Sequence, residues 1–217
     1  MKNDEKLHEF NEMLLEKNKV INLTAHKTAE ESWQKNIADS LLFADEFAQI
    51  KSGAVLDIGS GGGLPAVPLA IVFPNLHVTM IDSVAKKIAF LNEAIQKLDL
   101  SNAVAVHARA ENSANTNREK YDIVTAKAVA PLPTLLEYAL PFLKVGGRLY
   151  AFKGQNYADE IAQSQKALKI LGGAVERISS KKLNDEITRH LVVVKKIAPT
   201  PSKFPRQKNL PRTQPIM

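Results

Sequence analysis

An acid at the end of an apolar run, followed at once by closely spaced glycines, suits the binding of a charged small molecule. Here Asp57 sits in Val55-Leu56-Asp57-Ile58, and Gly59, Gly61, Gly62 and Gly63 come directly after. Glycine accepts positive φ and lets a ligand reach main chain that a Cβ would shield. Pro65 suits the first turn of a helix beyond the loop. The free N–H groups at such a helix start would face a ligand carboxylate, while Asp57 can order the loop amides or face a ligand ammonium. Asp82 closes a second apolar run, where its carboxylate can accept from both hydroxyls of a ribose or cap the following helix. After a third run, Ala110-Glu111 offers an amide and a carboxylate to the edge of an adenine.

Three nucleotide-like ligands compete for this loop. A P-loop needs Lys and then Ser or Thr after its last glycine, and Leu64-Pro65 stands there instead. A dinucleotide fingerprint requires its third glycine where this chain has Leu64, which weakens that reading without removing it. S-adenosylmethionine, with an ammonium and a carboxylate at one end and a ribose and adenine at the other, fits best. Asp57, Gly59, Gly61, Gly63 and Asp82 are its expected contacts.

The methyl acceptor is narrowed by what is missing. Methylation at C5 of a pyrimidine needs a cysteine adduct, and the chain has no cysteine. Exocyclic amine methylation uses Asn/Asp-Pro-Pro-aromatic after the fourth strand, whereas Ala126-Lys127-Ala128-Val129-Ala130-Pro131 occupies that place. A ring nitrogen such as guanine N7 carries a free lone pair and needs no base; a ribose 2′-hydroxyl needs activation, for which Lys153 is the candidate. The five histidines lack metal-ligand spacing, and no metal is expected.

These residues need a scaffold that brings strand ends together. Short β-rich runs at Ala54–Ile58, His77–Ile81, Ala103–His107, Asp122–Ala126 and Arg148–Phe152 alternate with helical stretches at Pro65–Val72, Ala85–Leu98 and Thr134–Leu143. Alternation of this kind predicts a doubly wound α/β fold, a mostly parallel sheet with helices on both faces and ligands at the carboxyl ends of strands. A further helix is predicted over 158–171, and the apolar runs Ala174–Ile178 and His190–Val194 predict a closing antiparallel pair, seven strands in all. Residues 1–50 read as a helical extension, with Leu7, Phe10 and Leu14 and then Trp33, Ile37 and Leu41 at helical spacing. Residues 51–197 form the ligand-binding domain.

Residues 198–217 form a basic, proline-rich tail. Seven of the 29 basic residues and none of the acids follow Glu186. Five of the eleven prolines follow Ile197, so this tail is expected to be extended, to track a polyanion, and to be dispensable for ligand binding. Lys203, Arg206, Lys208 and Arg212 are its candidate phosphate contacts. Arg109 could do the same, or could lock the loop to Glu111. No stretch approaches the roughly 18 apolar residues of a membrane span, and Met1-Lys2-Asn3-Asp4-Glu5 lacks the core of a signal peptide. A cytoplasmic, membrane-free monomer is expected.

Along nearly its whole length the chain resembles the bacterial RsmG (GidB) family of small-subunit rRNA methyltransferases. The likeness is carried by Asn22-Leu23-Thr24-Ala25, Asp39-Ser40-Leu41, the glycine loop through Leu64-Pro65, Asp82-Ser83, Arg109-Ala110-Glu111, Tyr121 to Ala126, Lys153-Gly154 and Phe204-Pro205-Arg206. The resemblance implies a Rossmann-like class I methyltransferase acting on N7 of a guanosine in 16S rRNA or the small ribosomal subunit. It further implies cofactor contacts at Gly59, Leu64, Ala110 and Glu111, with position 127 beside the cofactor. Lys127 stands where the family usually has arginine, and with Lys153 it is the candidate for electrostatic help near the acceptor. A 2′-O-methyltransferase and a non-catalytic RNA-binding protein that holds S-adenosylmethionine are the alternatives.

Overall fold

The computed structural model describes residues 1–217. Each apolar run of the central region becomes a strand: β1 (Gly53–Ile58), β2 (Leu76–Asp82), β3 (Ala103–His107), β4 (Tyr121–Lys127), β5 (Leu143–Lys153), β6 (Gly173–Lys182) and β7 (Thr188–Lys196). They form one sheet in the order β3-β2-β1-β4-β5-β7-β6. The first five are parallel, and β7 runs antiparallel between β5 and β6. The winding reverses between β1 and β4, where a crevice opens at the carboxyl ends of the strands. The register brings Asp57 beside Met80 and Thr125, Asp82 beside His107, and Lys127 beside Phe152.

Ahead of the sheet lie α1 (Asn3–Asn18), α2 (Ala29–Ser32), a π-helical turn at Trp33–Ala38, α3 (Asp39–Leu41) and α4 (Ala44–Ala48). Within and after the sheet come α5 (Ala66–Val72), α6 (Ala85–Lys97), α7 (Ala110–Ser113), α8 (Leu132–Ala139), α9 (Tyr157–Gln163), α10 (Gln165–Leu171) and α11 (Leu210–Thr213). Two cores form because β1 alternates its side chains between faces. Val55 joins Phe10 and Leu14 of α1, Val67 of α5 and Leu91 of α6. Leu56 and Ile58 join Leu135 and Leu136 of α8 and Leu171 of α10. Each such buried Leu or Phe contributes about 1.5–3 kcal/mol relative to exposure, so α1 is fastened to the sheet by the same apolar stripe that makes it amphipathic.

Three expectations need correction. The helix expected over 158–171 is two helices, broken at Ser164, whose hydroxyl donates to the Glu160 carbonyl (2.6 Å) and competes with the helical ladder. The helix expected over Thr134–Leu143 yields after Ala139 to a 3-10 turn, Leu140–Phe142, where Pro141 has no N–H to continue it. The tail is not an extended arm: it folds back over α8 and ends in α11. Arg118 donates to the carbonyls of Thr200 (3.1 Å), Ser202 (3.5 Å) and Phe204, and Phe204 is buried in the second core. Prolines cannot donate to a ladder, but a segment's carbonyls remain acceptors, and the half-buried Arg118 supplies the donors. No helix is long and apolar enough to cross a membrane.

Candidate active site

Asp57 is buried at the end of β1. Its Oδ1 accepts the Thr125 hydroxyl of β4 (2.7 Å), and its Oδ2 has no protein partner. Burial pushes the carboxyl up to about 7, while the Thr125 hydroxyl and the Lys127 charge oppose the rise. The loop amides are ordered by a different acid from the one expected. Asp82 accepts the Gly61 N–H at Oδ2 (2.9 Å) and the Val84 N–H at Oδ1 (2.8 Å), so it braces both the glycine loop and the entry to α6. A carboxylate has about four lone-pair sites, which leaves Asp82 capacity for ribose hydroxyls.

The glycines divide by purpose. At Gly61 (φ +56) a Cβ would meet only the Gly59 carbonyl, at 3.8 Å, so this position borders open space. At Gly63 (φ +85) it would come within 2.7 Å of Val67 and 2.8 Å of Leu91; this glycine serves loop–helix packing. Leu64 is half-buried against the same core.

Beside Asp82 a cavity of about 150 Å³ runs to Ala110 and Glu111 and takes in Tyr138 of α8 and Asn209 and Arg212 of the tail. Glu111 is buried, whereas the Arg109 side chain is 63% exposed and its guanidinium stands 3.9 Å from that carboxylate. At that distance the pair is no lock, and Arg109 is available to an anion.

On the other side of the β4 end, a cavity of about 230 Å³ is bordered by Asp39, Lys127, Phe152, Lys153, Arg189 and His190. Asp39 is buried, with Arg189 Nε donating to Oδ1 (2.8 Å) and Lys127 Nζ 2.5 Å from Oδ2. The Lys127 ammonium pairs with Asp39 and has no second partner in the protein. Burial lowers the Lys127 pKa, and Asp39 works against that fall. Lys153 is differently engaged: its ammonium donates to the Ala130 carbonyl (2.8 Å) and pairs with Glu160 (2.7 Å), fastening the loop after β4.

The chain that builds these two cavities matches a known family. The family model described as rRNA small subunit methyltransferase G (GidB) covers residues 3–192. The chain belongs to the rRNA small subunit methyltransferase G family. Relatives named Ribosomal RNA small subunit methyltransferase G include that of Acetivibrio thermocellus, 44% identical over 98% of this chain and 88% of its own length. That of Chloroflexus aggregans is 43% identical over 90% of this chain and 82% of its own. Solved structures share the fold at lower identity. M. jannaschii TYW2 in complex with AdoMet has a TM-score of 0.56 at 18% identity, covering 72% of this chain and 74% of that one. An rRNA methylase from Streptococcus thermophilus has 0.55 at 20%, covering 72% and 95%.

The cofactor of this family member is S-adenosylmethionine, and the residues present fit it. The unpartnered Asp57 Oδ2 is a buried acceptor suited to an ammonium, the space beside Gly61 admits a ligand against main chain, and Asp82, Ala110 and Glu111 line one cavity. When bound, the cofactor supplies an electrophilic methyl group on a sulfonium.

The structure divides the four tail candidates of this methyltransferase. Lys203 and Lys208 are exposed. Arg206 forks onto Glu137, whose side chain is 1% exposed, with its Nη2 at 2.7 Å and its own backbone N–H also donating (2.7 Å). That guanidinium is a structural cross-brace rather than a free phosphate contact. Arg212 borders the cavity beside Asp82 and Glu111. Phe204 is buried and so presents no ring for a base to stack on. Sequence spacing gave no sign of Thr125, Arg189, His190, Glu137 or Asn209. Each reaches the site through strand register or tail docking, which linear spacing does not encode.

Proposed function

We propose that the chain transfers the methyl group of S-adenosylmethionine to N7 of a guanosine in 16S rRNA, within the small subunit or its precursor. Membership of the family supports the substrate class. One observation carries the choice of atom: the acceptor-side cavity holds cations and no free carboxylate, and its one imidazole, His190, is bonded at Nδ1 to the Ser180 hydroxyl (2.8 Å) and stacked on Tyr157. Its only carboxylate, Asp39, is held by both Lys127 and Arg189. A ribose hydroxyl would have to lose its proton there, and Lys153 is occupied by Glu160 and Ala130. Guanine N7 carries a lone pair and needs no proton removed, so alignment and exclusion of water suffice. Donors such as the Lys127 ammonium and the Arg189 guanidinium complement O6, which lies beside N7 on the same base edge. The Asp39 carboxylate offsets the positive charge that the methylated base acquires.

In this reading the chain works as a monomer, since one chain lines both cavities, and in the cytoplasm, where rRNA is found. Arg109, Lys203 and Lys208 would hold RNA phosphates. Incubation with labelled donor and small subunits, followed by nucleoside analysis, tests it. Label in 7-methylguanosine is the expected result. Label in a 2′-O-methyl nucleoside would overturn the choice of atom, and tight cofactor binding without transfer to rRNA would make the chain a non-catalytic binder.

A further inference from the structure

The cavity that contains Asp82 and Glu111 has one wall that the sheet does not supply. Residues 206–213 provide it, and they are pinned from both sides. Arg206 is clamped on Glu137, and the Pro211 carbonyl takes the Thr134 hydroxyl (3.0 Å). Between these anchors, Gln207 donates its amide to the Glu111 carbonyl (2.9 Å), tying the tail to the residue whose carboxylate sits at the adenine end. Lys208 and Asn209 both take left-handed backbone (φ +57 and +60). Non-glycine residues keep that conformation only where the surroundings over-determine it. The resulting turn aims the chain inward, so that Asn209 and Arg212 line the cavity together with Asp82, Ala110 and Glu111.

We propose that Asn209 and Arg212 form the outer wall of the adenosine end of the cofactor site, as binding residues for S-adenosylmethionine rather than for RNA. The inference rests on the cofactor assignment above. A primary amide carries both a donor and an acceptor for an adenine edge or a ribose hydroxyl. A guanidinium plane stacks on an aromatic face while keeping its charge in water, and the acids Asp82 and Glu111 border the same space. The basic tail thereby acquires a second use, in which one of its arginines acts on the donor.

Calorimetry with S-adenosylhomocysteine and with 5′-methylthioadenosine, which keeps the adenosine and lacks the amino acid, tests this on the full chain. Arg212→Ala is expected to weaken both ligands by the same factor, about three- to tenfold. Asn209→Gly, which keeps the left-handed backbone, should weaken both about threefold, and the thermal midpoint of Arg212→Ala without ligand should match the parent because that side chain is exposed. Parent-like affinity in both variants overturns the inference, as does a loss confined to S-adenosylhomocysteine. A parent protein that binds neither ligand overturns the cofactor assignment itself.

Discussion

Lowering the pH from 8 to 6 should weaken cofactor binding about ninefold through the single carboxyl of Asp57. With its pKa near 7, Asp57 is ionised to about 90% at pH 8 and about 10% at pH 6. An ammonium placed against Oδ2 requires the ionised form, so the apparent affinity follows that fraction. Binding at pH 6 should release about 0.9 proton per site, and at pH 8 about 0.1. Titrations of S-adenosylhomocysteine in two buffers of different ionisation enthalpy measure the affinity and the proton count together. Asp57→Asn should lower affinity at pH 8 and flatten the profile. The sign for stability is opposite. Because the folded carboxyl is raised from 3.8, the folded apo protein holds a proton that the unfolded chain has lost. Stability without ligand therefore declines as pH rises from about 4 to about 7, by about 4 kcal/mol in total, and stays level above. A parent dissociation constant unchanged within twofold between pH 6 and 8 would falsify the pairing of Asp57 with the ligand ammonium.

Other perturbations read the remaining parts of the structure. Arg206→Ala strands the buried Glu137 carboxylate and should cost about 3–5 kcal/mol; urea denaturation showing less than about 1 kcal/mol would mean the clamp is not structural. Truncation after Ala198 should lower both the thermal midpoint and the affinity for S-adenosylhomocysteine, because it removes buried Phe204 and one wall of the adenosine-side cavity; full cofactor binding by the truncated chain would return the tail to the role of a detachable arm. Gly61→Ala and Gly63→Ala share left-handed strain, but Gly63→Ala should cost about 1–3 kcal/mol more, since only there does the new Cβ meet Val67 and Leu91; equal stability losses in the two would contradict the division of the loop. Lys208→Ala should reduce the salt slope of rRNA binding by about 0.7–0.9, and an unchanged slope would remove it from the RNA surface.

Much of the fold was legible because its signals are local. The apolar runs of β1, β2 and β4 and the stripe Ile88, Leu91 and Ala94 of α6 carry their periodicity within a few residues of one another. The ligand loop was legible for the same reason: an acid, glycines and a proline in direct succession. Asp39 was readable only as one member of a motif, since its partners Lys127 and Arg189 are brought to it by two distant strands, β4 and β7. The tail misled because proline content argues against regular secondary structure but is silent about docking. What holds it is the pairing of Arg118 with three carbonyls and of Arg206 with Glu137, contacts between residues far apart along the chain.

Asp39 also sets a timetable. Arg189, which shares its carboxylate, follows it 150 positions later. At about 5–20 residues per second of synthesis, the acid waits roughly 8–30 seconds for that partner, and residues 206–213 arrive later still. Throughout that interval the nascent chain can assemble β1 to β4 and the glycine loop, yet the acceptor-side cavity lacks its far wall. In a chain that belongs to a family of rRNA methyltransferases, the acceptor-side cavity is thus closed only by β7, well after the glycine loop has been made.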